Sequence, residues 1–277
     1  MNFRDFLQSH KICDAHIHLA DLYDFGASLV NSPDYSCISC SHSKREFDLQ
    51  TEFTKAIPSD CKPFIISSFG MHPQNPDLTL IPFLEELLKD KKIGAIGETG
   101  FDYFTSEFKA TSKIQEEAFI IQTELACKYE KPLIIHSRKA IEKLFSYSKF
   151  LSKVPFVVFH SFPGTLSEAL SLLNHGINGL FSFSSQILKG NKKSIECVKN
   201  LPQDKLLFET DAPYQTLKDE KITLQERILD VYIEGFKIRT CKEASGFSFA
   251  GWDDMPGEFF DFVQLVNANF DLLREKN

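Results

Sequence analysis

The sequence lacks the hydrophobic segments that secreted and membrane-spanning proteins carry. None of its apolar runs approaches the roughly 18 residues that a transmembrane helix needs. Residues 1–11, MNFRDFLQSHK, do not contain the apolar core of a signal peptide. The seven cysteines are odd in number and scattered, which is typical of reduced thiols rather than of a disulfide framework. These absences predict a cytoplasmic protein that does not bind membranes.

Positive charge is also in short supply. The chain has 31 Lys and Arg residues against 38 Asp and Glu residues, which gives a formal net charge of −7. A protein that grips duplex DNA along its length needs a broad basic surface, so that class is disfavoured, whereas a local site for a few phosphates is not. No short repeat, low-complexity tract or Pro/Gly/Ser-rich linker interrupts the sequence. We therefore expect a single domain over residues 1–277, and no obligate protein partner is evident.

Eight short apolar runs, most of them rich in β-branched residues, recur along the chain. They cover residues 12–18, 35–40, 63–72, 93–98, 132–137, 155–161, 177–184 and 205–213. Helical periodicity is clearest in 81–90 and 112–130, and residues 224–237 and 258–275 are also predicted helices. Eight strands that alternate with helices predict an α/β protein with a (β/α)8 TIM barrel. A doubly wound open sheet is the alternative, and residues 19–34 have little helical period.

Residues that can bind a metal stand at the ends of five of these runs. The six residues are His16, His18, Glu98, His136, His160 and Asp211. The active sites of (β/α)8 barrels lie at the carboxyl ends of the strands, so these side chains should converge there. A lone buried histidine is more often a hydrogen-bonded core residue than a ligand. Six such groups at corresponding strand ends are hard to explain in that way, since each would cost several kcal/mol if left unpaired.

The composition of this set indicates the chemistry. Four imidazoles and two carboxylates exceed the ligands of one tetrahedral ion and suit two divalent ions that share a carboxylate. The mixture of nitrogen and oxygen fits zinc, manganese or iron, whereas magnesium prefers more oxygen. Two such ions generate hydroxide near neutral pH and polarise the bond that it attacks, which predicts metal-assisted hydrolysis. Asp211 is the candidate that accepts a proton from the attacking water, with ligation alone as its alternative role.

Six motifs follow one another across residues 12–214. They are DAHIHL (14–19), GMHP (70–73), AIGETGFDYF (95–104), QEEAFIIQTELACKYEKPLIIHSRKA (115–140), VFHSFPG (158–164) and LLFETDAPY (206–214). In this order they resemble the TatD-type metal-dependent deoxyribonucleases of the amidohydrolase-like superfamily. The resemblance implies that His16, His18 and Asp211 hold one ion. It also implies that His136 and His160 hold the second, with Glu98 as the catalytic bridge between the two.

The same resemblance implies a nuclease that cleaves phosphodiester bonds, often from a 3′ end, with two divalent ions such as Mg, Mn or Zn. The expected substrate is a DNA end, with RNA ends left open. The sequence departs from the family pattern in three places: Gln74 stands where a second histidine is common, Ser161 and Pro163 lie in HSFPG where HCFSG is usual, and the Arg–Asn–Glu–Pro segment that typically follows ETDAPY is missing.

Two residues are candidates for substrate binding. Arg138 follows the fifth run, where a guanidinium can clamp a phosphate, with a surface salt bridge as the alternative. His72 follows Gly70 at the end of the third run and could reach the substrate. Two other functions remain open. The same metal site could act on a small amide, lactone or phosphoester, or the barrel could be a non-catalytic interaction protein, which the presence of all six ligands disfavours.

Several further residues receive supporting or structural roles. Glu209 and Asp14 are predicted to orient groups of the site, with a plain structural role as the alternative for Glu209. His10, His42 and His175 match no strand end and are predicted to lie on the surface. Cys37 and Cys40 form a CxxC pattern, but Cys37 falls within a predicted strand. Redox chemistry would need it at a helix N-terminus, so that function is disfavoured.

Overall fold

The computed structural model describes residues 2–240 and 255–274, and its central feature is a parallel sheet of eight strands. The strands are β1 (Ile12–Ile17), β2 (Tyr35–Ser41), β3 (Phe64–Phe69), β4 (Ala95–Asp102), β5 (Leu133–Arg138), β6 (Val157–Phe159), β7 (Gly179–Phe183) and β8 (Leu206–Phe208). Each strand pairs in parallel with the next along the chain. All eight predicted runs are strands, and the predicted (β/α)8 barrel is confirmed.

Helices connect the strands and surround them. Within the described ranges they are α1 (Phe3–Phe6), α2 (Leu19–Asp24), α3 (Lys44–Ala56), α4 (Ile81–Lys89), α5 (Ser106–Ala110), α6 (Ser112–Lys128), α7 (Ile141–Ser146), α8 (Ser148–Leu151), α9 (Leu166–Asn174), α10 (Lys192–Asn200), α11 (Arg227–Thr240) and α12 (Gly257–Arg274). The four predicted helices correspond to α4, α6, α11 and α12. The short α2 agrees with the weak period of residues 19–34. Residue 275 of the last predicted helix and Cys241 lie outside the described residues.

The first and last strands meet just beyond their carboxyl ends. The Asp211 N–H donates to the His16 carbonyl at 2.9 Å, and the His18 N–H donates to the Ala212 carbonyl at 2.8 Å. These two backbone hydrogen bonds complete the ring of strands at the mouth of the barrel. They also place Asp211 directly beside His16 and His18, which are almost 200 residues away in the sequence.

The barrel is filled at its centre and covered at its amino end. Small and branched side chains from all eight strands fill the interior, namely Cys13, Ala15, Ile38, Cys40, Ile66, Ala95, Ile134, Val158, Leu180 and Leu207. Phe270 and Leu273 of α12 pack against this cluster. Asn267 and Asn269 of α12 donate to backbone carbonyls at the starts of β1 and β8. Since the interior is packed, the carboxyl end of the barrel is where its strands can surround a ligand.

β4 bulges where it carries Glu98. The pairing with β5 advances by three residues on β4, from Ile96 to Thr99, against two on β5, so an extra residue is accommodated there. Such a bulge redirects a side chain out of the regular alternation. Gly97 has a φ of 135°, and a Cβ atom added there would lie 2.5 Å from the Ile134 carbonyl oxygen. Only glycine fits this close approach, so Gly97 is a requirement of the bulge.

No helix among residues 2–240 and 255–274 has the length and apolar character needed to cross a bilayer.

Candidate metal centre

The six predicted metal-binding side chains converge at the carboxyl mouth of the barrel. His18 and His160 directly follow β1 and β6, whereas His16, Glu98 and His136 lie within strands. His16 Nε2 lies 3.2 Å from His18 Nε2, and Asp211 Oδ1 lies 3.5 Å from His18 Nε2. All six are buried or partly buried. The barrel therefore brings together all six residues that the strand-end pattern predicts.

The Glu98 carboxylate is the centre of this cluster and is only 2% exposed. Its Oε1 lies 3.1–3.4 Å from the Nε2 atoms of three histidines, His16, His18 and His42. Its Oε2 lies 3.4–3.7 Å from ring nitrogens of three others, His72, His136 and His160. Each oxygen of this carboxylate thus faces its own group of three imidazoles. This is the arrangement expected of a carboxylate that bridges two cations.

The spacing of the donor atoms fits metal binding. Donors that surround a tetrahedral ion at about 2.0–2.1 Å lie about 3.3–3.4 Å from one another. The contacts of His16 Nε2 with His18 Nε2 and Glu98 Oε1 are both 3.2 Å. Several triads of ligand atoms lie within 4.8 Å of one another, including His16–His18–Asp211 and His16–Glu98–His160. This buried cluster of imidazoles and carboxylates is able to hold metal ions.

Buried acceptors orient two of the histidines from behind. His136 Nε2 lies 3.1 Å from Asp102 Oδ2, so its Nδ1 faces Glu98. His160 Nδ1 lies 2.9 Å from Glu209 Oε1, an ion-pair contact that is poorly aligned for a hydrogen bond, and its Nε2 faces Glu98. A carboxylate behind a histidine fixes which ring nitrogen is free to bind a metal. The predicted orienting position of Glu209 agrees with this contact.

Three residues at the departures from the family pattern contact the carboxylates of the site. Gln74 Nε2 donates to Asp102 Oδ2 at 2.8 Å and so holds the carboxylate that contacts His136. The Ser161 N–H donates to Glu209 Oε1 at 2.9 Å. Gln215, in the segment that replaces the usual rim, donates to Asp211 Oδ2 at 3.0 Å. Gln74, Ser161 and Gln215 therefore each contact a carboxylate of the site.

The two carboxylates at the centre are held in their anionic forms. Burial raises the pKa of Glu98, but His16 and His160 outweigh burial and keep this pKa well below its usual range. Burial also raises the pKa of Asp211, yet the neighbouring His160 and the hydrogen bond with His18 lower it overall. Both groups are consequently ready to accept cations or hydrogen bonds at neutral pH.

The same carboxylates raise the pKa values of two histidines, His160 and His136. Burial lowers the pKa of His160, but Glu209 and Glu98 outweigh burial and raise it to about 10. Burial likewise lowers the pKa of His136, and Asp102 and Glu98 outweigh it, so the pKa rises. The cavity therefore stabilises positive charge, and metal ions that enter it must displace protons.

A cavity of about 590 Å³ opens above the cluster. Arg138 and His72, the two predicted substrate-binding residues, both line it. The Arg138 guanidinium stacks on the exposed Phe104 ring, with 3.5 Å between Cζ and the ring centroid. The acidic residues Asp21 and Glu46 also line this cavity. The mouth thus presents both cationic and anionic side chains to a ligand.

The prediction that His42 lies on the surface is wrong. β2 extends to Ser41, one residue beyond the predicted run, so His42 directly follows the carboxyl end of a strand. Its Nε2 lies 3.1 Å from Glu98 Oε1, and its side chain is 21% exposed. The strand-end rule singles out the other six residues of the cluster and would also single out His42 if the second run included Ser41.

The other predicted supporting residues lie as follows. Asp14 accepts hydrogen bonds from the Thr210 N–H at 2.9 Å and from the Tyr35 hydroxyl at 3.1 Å, so it connects β1 to the segment that carries Asp211. His175 is exposed, as predicted, whereas His10 is half-buried against Phe260, with 4.1 Å between ring centroids. Cys37 and Cys40 are both buried in β2, and burial raises the pKa of each thiol well above its usual value, which argues against redox chemistry.

Sequence comparisons identify a protein family and several metal-dependent hydrolases that the chain resembles. Residues 13–235 match the family model described as TatD related DNase. Over 158 residues the chain is 35% identical to the uncharacterized metal-dependent hydrolase YabD of Bacillus subtilis and 34% identical to the 3′-5′ ssDNA/RNA exonuclease TatD of Escherichia coli K12. Each match covers 55% of this chain and 60% of the relative, so the matched segment spans less than two thirds of either relative. An uncharacterized metal-dependent hydrolase of Buchnera aphidicola is 30% identical, over 73% of this chain and 81% of its own.

Solved structures share the fold. A TatD homologue from Escherichia coli K12 superimposes with a TM-score of 0.74 at 22% identity and covers 95% of this chain and 97% of its own. A TatD family hydrolase from Entamoeba histolytica has a TM-score of 0.73 at 20% identity, with coverage of 95% and 98%.

Proposed function

The chain belongs to the TatD related DNase family, and from this membership we propose that it is a metal-dependent nuclease acting on the 3′ ends of single-stranded DNA, and also of RNA. The observation that carries the proposal is the Glu98 carboxylate, whose two oxygens each face three imidazoles at 3.1–3.7 Å. A relative, the Escherichia coli TatD, is named as a 3′-5′ exonuclease of single-stranded DNA and RNA.

We assign two divalent ions, such as Mg, Mn or Zn, to the two oxygens of Glu98. His16, His18 and Asp211 would hold the ion on the Oε1 side, and His136 and His160 the ion on the Oε2 side. When bound, the ions lower the pKa of a water molecule and stabilise the negative charge that develops on a phosphodiester. The set of donors is mixed nitrogen and oxygen, which suits zinc or manganese better than magnesium.

Asp211 is our candidate for the proton acceptor. The hydrogen bond that its Oδ2 accepts from Gln215 and the contact of its Oδ1 with His18 fix the orientation of its carboxylate. Since its pKa is lowered, the carboxylate is anionic at neutral pH and would accept a hydrogen bond from a water molecule that enters the cavity. Glu98 is our second candidate for a catalytic residue, because its two oxygens would hold the two ions next to each other.

Arg138 and His72 are our candidates for contacting the substrate. A guanidinium that stacks on an aromatic ring keeps its N–H donors in the plane of the group, where they can pair with two phosphate oxygens. The backbone N–H of Gln74 donates to His72 Nδ1 at 3.2 Å, so the proton of a neutral His72 ring is on Nε2. That N–H lies 3.7 Å from Glu98 Oε2 and 3.3 Å from His136 Nδ1, so it would donate to a phosphate oxygen or a leaving group that enters beside these residues.

A specific observation favours a second candidate function. Asp21 and Glu46 line the cavity, and their negative charges repel a polyanionic substrate that approaches from their side. A volume of about 590 Å³ is also within the range of small-molecule sites. The second candidate is therefore hydrolysis of a small ester, lactone or amide at the same metal centre.

The two functions are separated by incubating metal-reconstituted protein with labelled oligonucleotides and, in parallel, with a panel of esters and lactones. With single-stranded DNA, a 3′ label should be released first and a 5′-labelled strand should shorten stepwise. Cleavage should disappear with EDTA and in Glu98→Gln. The variant His175→Ala, at an exposed residue outside the cavity, serves as the matched control and should retain activity. Turnover of a small ester with no cleavage of any nucleic acid would refute the nuclease.

A further inference from the structure

We propose that His42 is a further ligand of the metal centre and binds, through Nε2, the ion on the Oε1 side of Glu98. Its Nε2 lies 3.1 Å from Glu98 Oε1, and His18, His42 and Glu98 offer ligand atoms within 4.8 Å of one another. The inference rests on the proposed metal centre and adds a residue to it.

The hydrogen bonds of His42 determine which of its ring nitrogens is free. His42 Nδ1 lies 3.3 Å from the Gly70 carbonyl oxygen, which can only accept a hydrogen bond, so Nδ1 carries a proton. In the neutral ring Nε2 then has a lone pair, and this lone pair faces an anionic carboxylate oxygen. Two acceptors 3.1 Å apart repel each other unless a cation lies beside both. A ring N–H that donates to a backbone carbonyl is also the usual support of a metal-binding histidine.

The backbone around His42 is fixed, which reduces the entropy cost of ligation. The His42 N–H donates to Glu46 Oε2 at 2.7 Å, and the Ser43 side chain accepts from the Glu46 N–H at the start of α3. The Gly70 N–H donates to the Ser41 carbonyl at 3.2 Å, so the ends of β2 and β3 are held together. The Gly70 carbonyl that orients the His42 ring is therefore held in place by a hydrogen bond to the residue before His42.

His72 provides the contrast within the same cavity. The Gln74 N–H donates to His72 Nδ1, so the proton of the neutral ring is on Nε2, the nitrogen that faces Glu98. A protonated nitrogen is a hydrogen-bond donor and not a ligand. The two histidines lie side by side, with 4.9 Å between ring centroids, yet their hydrogen bonds favour opposite tautomers. We therefore assign ligation to His42 alone.

With His42 included, the two sides of the bridge differ in the number of donors. The Oε1 side has five candidate ligands, His16, His18, His42, Asp211 and Glu98. The Oε2 side has three, His136, His160 and Glu98. Sites with three protein ligands leave a position open for water or substrate, whereas fully ligated sites are structural. His42 would thus make the Oε1-side ion the more tightly held of the two.

The test is a titration of metal-free protein with Co²⁺, followed by visible absorption and by competition with a chelator. In His42→Ala and His42→Gln the dissociation constant of one of the two ions should rise at least tenfold, and the absorption of that ion should change because it loses a nitrogen ligand. His72→Ala and the exposed His175→Ala should bind both ions as the wild type does. Circular dichroism melts of the metal-free variants establish that each is folded.

The outcomes separate this inference from the proposed function. If the wild type binds two ions and His42→Ala has unchanged affinities and an unchanged spectrum, His42 is not a ligand, and the inference is refuted while the metal centre stands. If His72→Ala weakens binding as much as His42→Ala does, the tautomer argument is wrong. If the wild type binds no Co²⁺, both the metal centre and this inference are refuted.

Discussion

The contact between Glu209 and His160 gives a quantitative prediction for the metal-free protein. Glu209 is fully buried, lies 2.9 Å from His160 Nδ1 and accepts hydrogen bonds from Ser161 and Ser182. The substitution Glu209→Gln keeps the shape and removes the charge. Burial still lowers the pKa of His160, but its strongest opposing carboxylate is gone, so this pKa falls from about 10 toward its ordinary value.

The magnitude follows from linkage. A rise of the His160 pKa from 6.5 to about 10 corresponds to at most ~5 kcal/mol of stability, shared among three carboxylates. Removing the Glu209 charge should therefore cost ~2–3 kcal/mol at pH 6. A raised histidine pKa stabilises the folded state fully below pH 6.5, and this contribution is lost as the pH rises toward about 10. The difference in the free energy of unfolding between wild type and variant should therefore decrease over the same pH range.

The assay is urea unfolding in the presence of EDTA at pH 6, 7.5 and 9. Ser182→Ala is the matched control, because it removes a hydrogen bond to the same carboxylate and leaves the charge. It should cost ~1.5–3 kcal/mol, by the same amount at every pH. A deficit of Glu209→Gln that is the same at pH 6 and pH 9 would show that its role is packing alone and would refute the electrostatic reasoning.

Three further predictions concern the site itself. Asp102→Asn removes the carboxylate behind His136 and should lower the affinity for one metal ion about 10–100-fold in a chelator competition, with the affinity for the other ion unchanged. An equal loss of affinity for both ions would contradict the assignment of His136 to one of them. Arg138→Lys should raise the KM for single-stranded DNA with little change in kcat, because a lysine cannot pair bidentately with a phosphate; an unchanged KM would place Arg138 outside the substrate path. Metal affinity should fall as the pH drops, because the pKa values of His18, His136 and His160 are raised and these rings must lose protons to bind a metal. Calorimetry in buffers of different ionisation enthalpy should detect the released protons, and an absence of proton release would contradict these pKa shifts.

The barrel and six residues of the cluster could be predicted because they depend on local patterns. Eight apolar runs of strand length specify the parallel sheet, and topology then brings their carboxyl ends to one mouth. His16 and Asp211 are almost 200 residues apart, yet the strand-end rule joins them without knowledge of the backbone hydrogen bond that connects them. The extent of the domain, residues 1–277, and the cytoplasmic location stay predictions.

The features that escaped prediction depend on precise boundaries or on tertiary contacts. The sequence predicts a surface position for His42 because the second apolar run ends one residue before the strand does, and strand boundaries are the weakest part of a pattern. The bulge at Gly97 and Glu98 depends on register with β5, which no local pattern encodes. Gln74 supports Asp102 across two neighbouring strand ends, a contact that only the assembled barrel creates.

The most direct test of the central claim is the number of divalent ions bound by the reconstituted wild type and by Glu98→Gln, measured by elemental mass spectrometry after removal of excess metal. If Glu98 joins two ions, the wild type should hold about two per chain and Glu98→Gln about one or fewer. A wild type that holds about one ion or fewer, or a Glu98→Gln variant that still holds two, would contradict the account.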